Sequence, residues 1–288
     1  SSCVFRKDDR KPMKKWADGW KGRKLQRKAT VFLLAGLFGF LPATGKGAGL
    51  PQEAWASVES GPYWAGKQGS FDVNQFVLPE EARVLVVVEG TGGISCQVYA
   101  FERVSPDRKA WTLRVNTPGN LGNNGMSNHR TVGDKTTPIG LFQMNTPFGQ
   151  ADPLEGFPKN YVKVTEDYVW EDDTNRLEAG SQKEGERVGT DRYAGYYDYV
   201  LDAGYNKNAV ESKGAALFLH CYVREEEGTS GCVAIAKDQM AVIMRLYGTY
   251  GDGACYIAQA PKGTFHQIYD TYGVNNGLSP DGDFSSVY

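Results

Sequence analysis

From Arg83 onward the chain alternates between short apolar runs and clusters of turn residues. Val84-Leu-Val-Val-Val88 is apolar at every position, the pattern of a buried strand, and Gly90-Thr-Gly-Gly93 bounds it. Cys96–Phe101 and Trp111–Val115 alternate apolar with polar positions, predicting two more strands with a turn at Ser105-Pro-Asp between them. Residues 118–125 are a Gly/Asn-rich stretch and read as a long loop closing a β-meander. Val132–Met144 is a loop with Gly and Pro at its corners that feeds a further strand. Residues 150–195 are polar and loop-rich, and a segment of that length in a compact domain points to function.

Strand character resumes at Tyr196–Leu201 and is strongest at Ala215–Val223. A charged loop, Arg224–Gly228, leads to another strand at Thr229–Ile235. Met240, Ile243, Met244 and Tyr247 then recur at helical spacing, with Asp238 as the expected N-cap. Cys255–Ala258 reads as a last strand, and the chain beyond Pro261 as a polar surface tail. Four segments follow: a basic leader over 1–56, a lead-in over 57–82, a catalytic-type domain over 83–260, and the tail over 261–288.

Composition agrees with a mainly β chain: 35 glycines and 12% aromatic residues in 288 positions favour strands and turns over helix bundles. Charge is uneven. Residues 1–48 hold 12 of the 32 Lys+Arg and three of the 34 acidic residues, leaving 20 basic against 31 acidic groups in the rest. A folded part of net charge about −11 excludes a nucleic-acid binder.

The basic start runs into Val31–Leu41, an apolar run well short of the roughly 20 residues a membrane-spanning helix needs. Basic residues, a short apolar run and then small residues are the order of a secretory signal, with cleavage after Gly45 or after Ala56, and an uncleaved anchor as the alternative. Leu41-Pro-Ala-Thr-Gly45 spells a sorting pentapeptide but precedes the fold instead of following it, and is read as coincidence.

No two of the five cysteines stand at C-x-x-C spacing, so no zinc cluster is expected. Cys96, Cys221 and Cys255 leave room for at most one disulfide if Cys232 is a free nucleophile.

A cysteine attacks as thiolate and needs a base or cation beside it. His220 falls late in one predicted strand and Cys232 opens another, so adjacent strands would bring imidazole and thiol together. Alternation puts Phe218, His220 and Tyr222 on one face and Cys221 with the aliphatics on the other, as an inert core residue. Gly231 would let backbone and substrate approach closely, with the Cys232 N–H serving an oxyanion. His129 and His266 read as plain surface histidines.

Gly133-Asp-Lys-Thr-Thr-Pro-Ile-Gly140, together with Phe218-Leu-His220 and Thr229-Ser-Gly-Cys232, resembles the L,D-transpeptidase catalytic domain family (YkuD type) over about residues 83–260. The resemblance implies a mixed β-sandwich with one or two short helices. It implies an exported enzyme of the cell envelope that acts on peptidoglycan stem peptides without metal or cofactor. Cys232 would attack the carbonyl between residues three and four of a tetrapeptide stem, with His220 as base and Gly231 and Ser230 completing the catalytic turn. Thr137, Pro138, Gly140 and Tyr222 would line the substrate groove, and Trp170 would either shape it or brace its own loop.

Two positions depart from the family's commonest signature: Ser230 stands where it has His, and Ala234 where it has Arg or Asn. The departures leave open transfer to an amine, hydrolysis as a carboxypeptidase or endopeptidase, and a wall-binding module without turnover. A monomer is expected, touching a membrane only through an uncleaved leader. Sortase-like and papain-like peptidases are excluded, the first by the missing T-L-x-T-C motif and the second by chain order.

Overall fold

A computed structural model describes residues 67–68, 70–103 and 110–272. The leader with Val31–Leu41 and its cleavage sites, the turn at Ser105 and the end of the tail lie outside the described residues. In chain order the strands are β1 Lys67–Gln68, β2 Phe71–Asp72, β3 Val84–Gly92, β4 Ser95–Glu102, β5 Thr112–Asn120 and β6 Met126–Ser127. They continue with β7 Thr137–Pro138, β8 Gly140–Gln143, β9 Asn145–Gly149, β10 Val162–Lys163, β11 Tyr168–Glu171 and β12 Arg176–Ala179. The last are β13 Gly185–Glu186, β14 Val200–Asp202, β15 Phe218–Cys221, β16 Val233–Ile235 and β17 Cys255–Pro261, with the helix α1 Lys237–Tyr250 before β17.

The protein is mainly β. Ten strands form one mixed sheet in the order β10-β9-β14-β15-β16-β5-β4-β3-β17-β8, and β12-β11-β13 form a small second one. β3, β4 and β5 are an antiparallel meander, as their alternation predicts. Within the ten-stranded sheet the parallel contacts are β9 with β10, β15 with β16 and β3 with β17, each reached by a crossover. α1 is the only α-helix among the described residues.

The uninterrupted Val84–Val88 run has a direct cause: both faces of β3 are covered. Val84, Val86 and Val88 join the core that holds Ile243, Met244 and Tyr247 of α1. Leu85 and Val87 join a second core with Phe71, Phe76, Phe101, Trp111, Phe265 and Ile268. A strand buried on both sides needs apolar residues at every position, not at alternate ones.

Several expectations change in detail. The folded body reaches past residues 83–260 on both sides, because Phe71, Val73, Phe265 and Ile268 are buried in the second core. The expected strand over Ala215–Val223 shortens to β15, since Ala216 adopts φ +57°, a left-handed conformation that ends extended pairing. The predicted loop at 118–125 starts later, because β5 pairs with β4 and β16 as far as Asn120. Residues 150–195 carry the small sheet instead of loop alone. The helix N-cap is Ala236, and Asp238 lies in the first turn, where its charge favours the positive helix end.

Candidate active site

The turn before β16 is built by Thr229. Its hydroxyl accepts from Gly231 N at 3.0 Å and donates to Cys232 O at 2.7 Å, folding the Thr-Ser-Gly-Cys segment on itself. Gly231 has φ +133°, and a Cβ there would lie 2.6 Å from Arg130 Nη1 and 2.7 Å from Thr136 O. Only glycine fits that conformation and that gap. Ser230 is half-buried at the crest of the turn.

Cys232 comes one residue before the first β15–β16 pair, Leu219 with Val233. Its sulfur accepts from Phe218 N at 3.0 Å, in place of a ladder carbonyl, and lies 3.4 Å from Ala216 O. The strained Ala216 is held by Asn175, whose Oδ1 accepts from Ala216 N at 3.1 Å and from Trp170 Nε1 at 2.7 Å. Asn175 Nδ2 donates to Tyr205 O and Asn206 O at 2.9 and 3.1 Å. A non-glycine residue at positive φ costs on the order of 1–3 kcal/mol and persists only where its surroundings impose it.

His220 pairs in register with Ala234, two residues beyond Cys232. His220 thus stands in β15 and Cys232 just ahead of the neighbouring parallel strand, and no hydrogen bond joins imidazole to sulfur. His220 Nδ1 lies 2.7 Å from Cys221 O. A carbonyl only accepts, so Nδ1 carries the proton and the Nε2 lone pair is unprotonated. Nε2 is buried and has no hydrogen-bond partner. Burial lowers the imidazole pKa to about 4, against the opposing pull of the Cys221 and Tyr196 carbonyls, so the ring is neutral at pH 7. The ring packs edge-on to Tyr197, at 5.3 Å between centroids, and the Tyr197 hydroxyl donates to buried Glu186.

Both reactive groups are enclosed, His220 and Cys232 each being 1% exposed. The cysteine expectation is corrected in one respect. Cys96, Cys221 and Cys255 are free and buried, whereas Cys232 is disulfide-bonded. A sulfur in a disulfide cannot act as a thiolate, so the expected nucleophilic role of Cys232 would require reduction. Cys221 is the inert core residue expected: burial pushes its thiol up to about 12.

The other predicted contacts divide. Thr137 is fully buried and its hydroxyl accepts from Gly122 N at 2.9 Å. Pro138 O accepts from Gln259 at 3.0 Å, and a Cβ at Gly140 would meet the Phe142 ring. Trp170 is fully buried, stacked on Phe148 and edge-on to Phe218, and donates to Asn175 Oδ1 instead of facing a groove. Tyr222 stands past the far end of β15, where its hydroxyl donates to Glu225 at 3.3 Å, away from Cys232.

The residue missed from the sequence is Arg130, passed over beside His129. Asp134 gathers the loop around it, accepting from Thr131 N, Thr136 N and Thr136 Oγ1 at 2.7–2.8 Å and from Arg130 Nη1 at 3.2 Å. The Gly-Asp-Lys-Thr-Thr-Pro stretch is therefore a cradle that sets a guanidinium against Gly231. Its available signal was the i, i+4 spacing of Arg130 and Asp134.

Among the described residues no group of three His, Cys, Asp or Glu is arranged to hold a metal ion, and no helix is long and apolar enough to cross a membrane. Compared with protein families, with curated proteins and with solved structures, the chain finds no match.

Proposed function

We propose that the chain is an exported cysteine acyltransferase of the L,D-transpeptidase type, acting on peptidoglycan stem peptides at the wall-facing side of the cell. The observation that carries the reading is the unpartnered lone pair of His220 Nε2, buried one strand away from Cys232. A buried imidazole nitrogen without a partner is costly unless it has a proton to take. The Phe218 N–H aimed at the sulfur supplies a donor that favours a thiolate.

In this reading the reduced Cys232 thiol gives its proton to His220 Nε2, and the sulfur attacks the carbonyl of stem residue three. The C–N bond to the terminal residue breaks, and the imidazolium returns its proton to the departing amine, leaving a thioester on Cys232. An amine of a second stem then attacks the thioester carbon, loses a proton to His220 and releases the sulfur, which is reprotonated. With water as acceptor the same steps give a carboxypeptidase. Ser230 and Ala234, standing where the resembled family carries larger polar groups, favour including that second outcome.

The test is the reduced protein with purified muropeptides and, separately, a carbapenem. Expected are products shortened at stem residue four or joined through residue three, and a covalent adduct on Cys232 that Cys232→Ala lacks. His220→Ala should slow turnover by about 10²–10⁴-fold. A folded, reduced protein that yields neither product nor adduct refutes the proposal and favours a wall-binding module.

A further inference from the structure

Arg130 is 5% exposed and sits against the turn that presents Cys232. Only one end of its guanidinium is engaged. Nη1 donates to Thr136 O and to Asp134 Oδ1, while Nε is buried with no acceptor. Nη2, the other nitrogen of that edge, lies 3.5 Å from where a Cβ of Gly214 would stand. Asp134 spends its remaining capacity on Thr131 and Thr136, so it fixes the guanidinium without covering the Nε–Nη2 edge. That edge presents two parallel N–H groups at the spacing of the two oxygens of a carboxylate.

Resting on the reading above, we propose that Arg130 is a specificity-determining residue that binds the terminal carboxylate of the donor peptide through its Nε–Nη2 edge. The attacked carbonyl and the terminal α-carbon belong to consecutive residues, about 3.8 Å apart along the chain. A peptide seated on Cys232 therefore carries its free carboxylate within a residue's length of the nucleophile. Arg130 borders Gly231, the residue before that nucleophile, and its Nη2 lies by Gly214, where Val132 also packs. Burial depresses the guanidinium's pKa and Asp134 opposes this, so an anion paired with the unbonded Nε also relieves a desolvated charge. Arg130 would thereby select stems that end in a free carboxylate over those whose C-terminus is amidated.

The experiment compares a stem tetrapeptide free acid with its C-terminal amide, using reduced full-length protein. The reduced wild type should prefer the acid by about 10²-fold in kcat/KM, the scale of a paired charge-assisted contact. In Arg130→Gln the acid-to-amide ratio should collapse toward one, and Arg130→Lys, which keeps the charge but not the fork, should fall between. A wild-type ratio near one, or a ratio unchanged in folded Arg130→Lys and Arg130→Gln, overturns the assignment and leaves the enzyme reading intact. Should Arg130→Gln fail to fold, Arg130→Lys decides alone: equal losses on acid and amide mark a structural residue and overturn the proposal. Turnover of neither peptide by the wild type instead overturns the enzyme reading, and this inference with it.

Discussion

Asn175 is the side chain whose removal should be felt furthest from its own position. Asn175→Ala deletes two acceptor contacts, with Trp170 Nε1 and Ala216 N, and two donor contacts, with Tyr205 O and Asn206 O. Trp170 and Ala216 are fully buried, so their N–H groups find no ready replacement. At about 1 kcal/mol for each lost contact, the low end for buried groups, the four sum to about 4 kcal/mol. Asn175 also has φ +50°, and an alanine there adds on the order of 1 kcal/mol. Asn175→Gly loses the same contacts without that last cost, so it should lie about 1 kcal/mol above Asn175→Ala. Urea unfolding of the reduced proteins at fixed pH measures both differences. A loss under about 1.5 kcal/mol for Asn175→Ala would show that the network does not hold Ala216 and the sulfur contacts in place.

Asp202 is buried with Oδ1 unpaired, and burial raises its pKa to about 7, against hydrogen bonds from Gly204 and Asn145. The native state then binds a proton that the unfolded state releases between about pH 4 and 7, so stability falls as pH rises through that window. Asp202→Asn should gain on the wild type across it, by on the order of 2–4 kcal/mol, and hold that gain above pH 7; thermal melts at pH 4 and 8 that show equal gains would refute this. His220 has the opposite sign. Its pKa is depressed to about 4, so its contribution is complete above the unfolded value near 6.5 and is lost as pH falls toward 4, a slope that His220→Gln should remove in the same melts. Gly231→Ala should abolish turnover and cost about 2 kcal/mol or more, since the new Cβ meets Thr136 O and Arg130 at a φ alanine resists; wild-type kcat/KM in that variant would show the turn to be slack.

The meander was legible because β3, β4 and β5 are long and locally paired. Val84–Val88, apolar at every position, is also too short for a buried helix and so reads as a strand covered on both faces. That the segments of His220 and Cys232 run side by side was legible too, as two strands joined by a short excursion, but the expected hydrogen bond between imidazole and sulfur is not formed. Their pairing is parallel, however, which spacing alone does not reveal. What sequence could not supply was the third dimension of the loops. Nothing in the pattern but the spacing to Asp134 marks Arg130, which that residue and Gly231 close around, and nothing decides between a groove and a loop brace for Trp170, which Phe148, Phe218 and Asn175 enclose. Phe265 and Ile268 sit in a polar stretch whose average hid two core positions. Cys232's disulfide was equally invisible, since pattern gives no partner.

The pairing of β3 with β17 joins residues some 170 positions apart, Val84 lying opposite Cys255 and Gly90 opposite Pro261. Until that last strand arrives, β3 has a bare edge in mid-sheet and the core behind it lacks Tyr256, Ala258 and Phe265. A chain still being made, or cut short before Pro261, would hold its meander open at the seam, where another copy's strand can add. Assembly of this protein is therefore a late event set by its final fifth, and truncations there should yield aggregates instead of a smaller active domain.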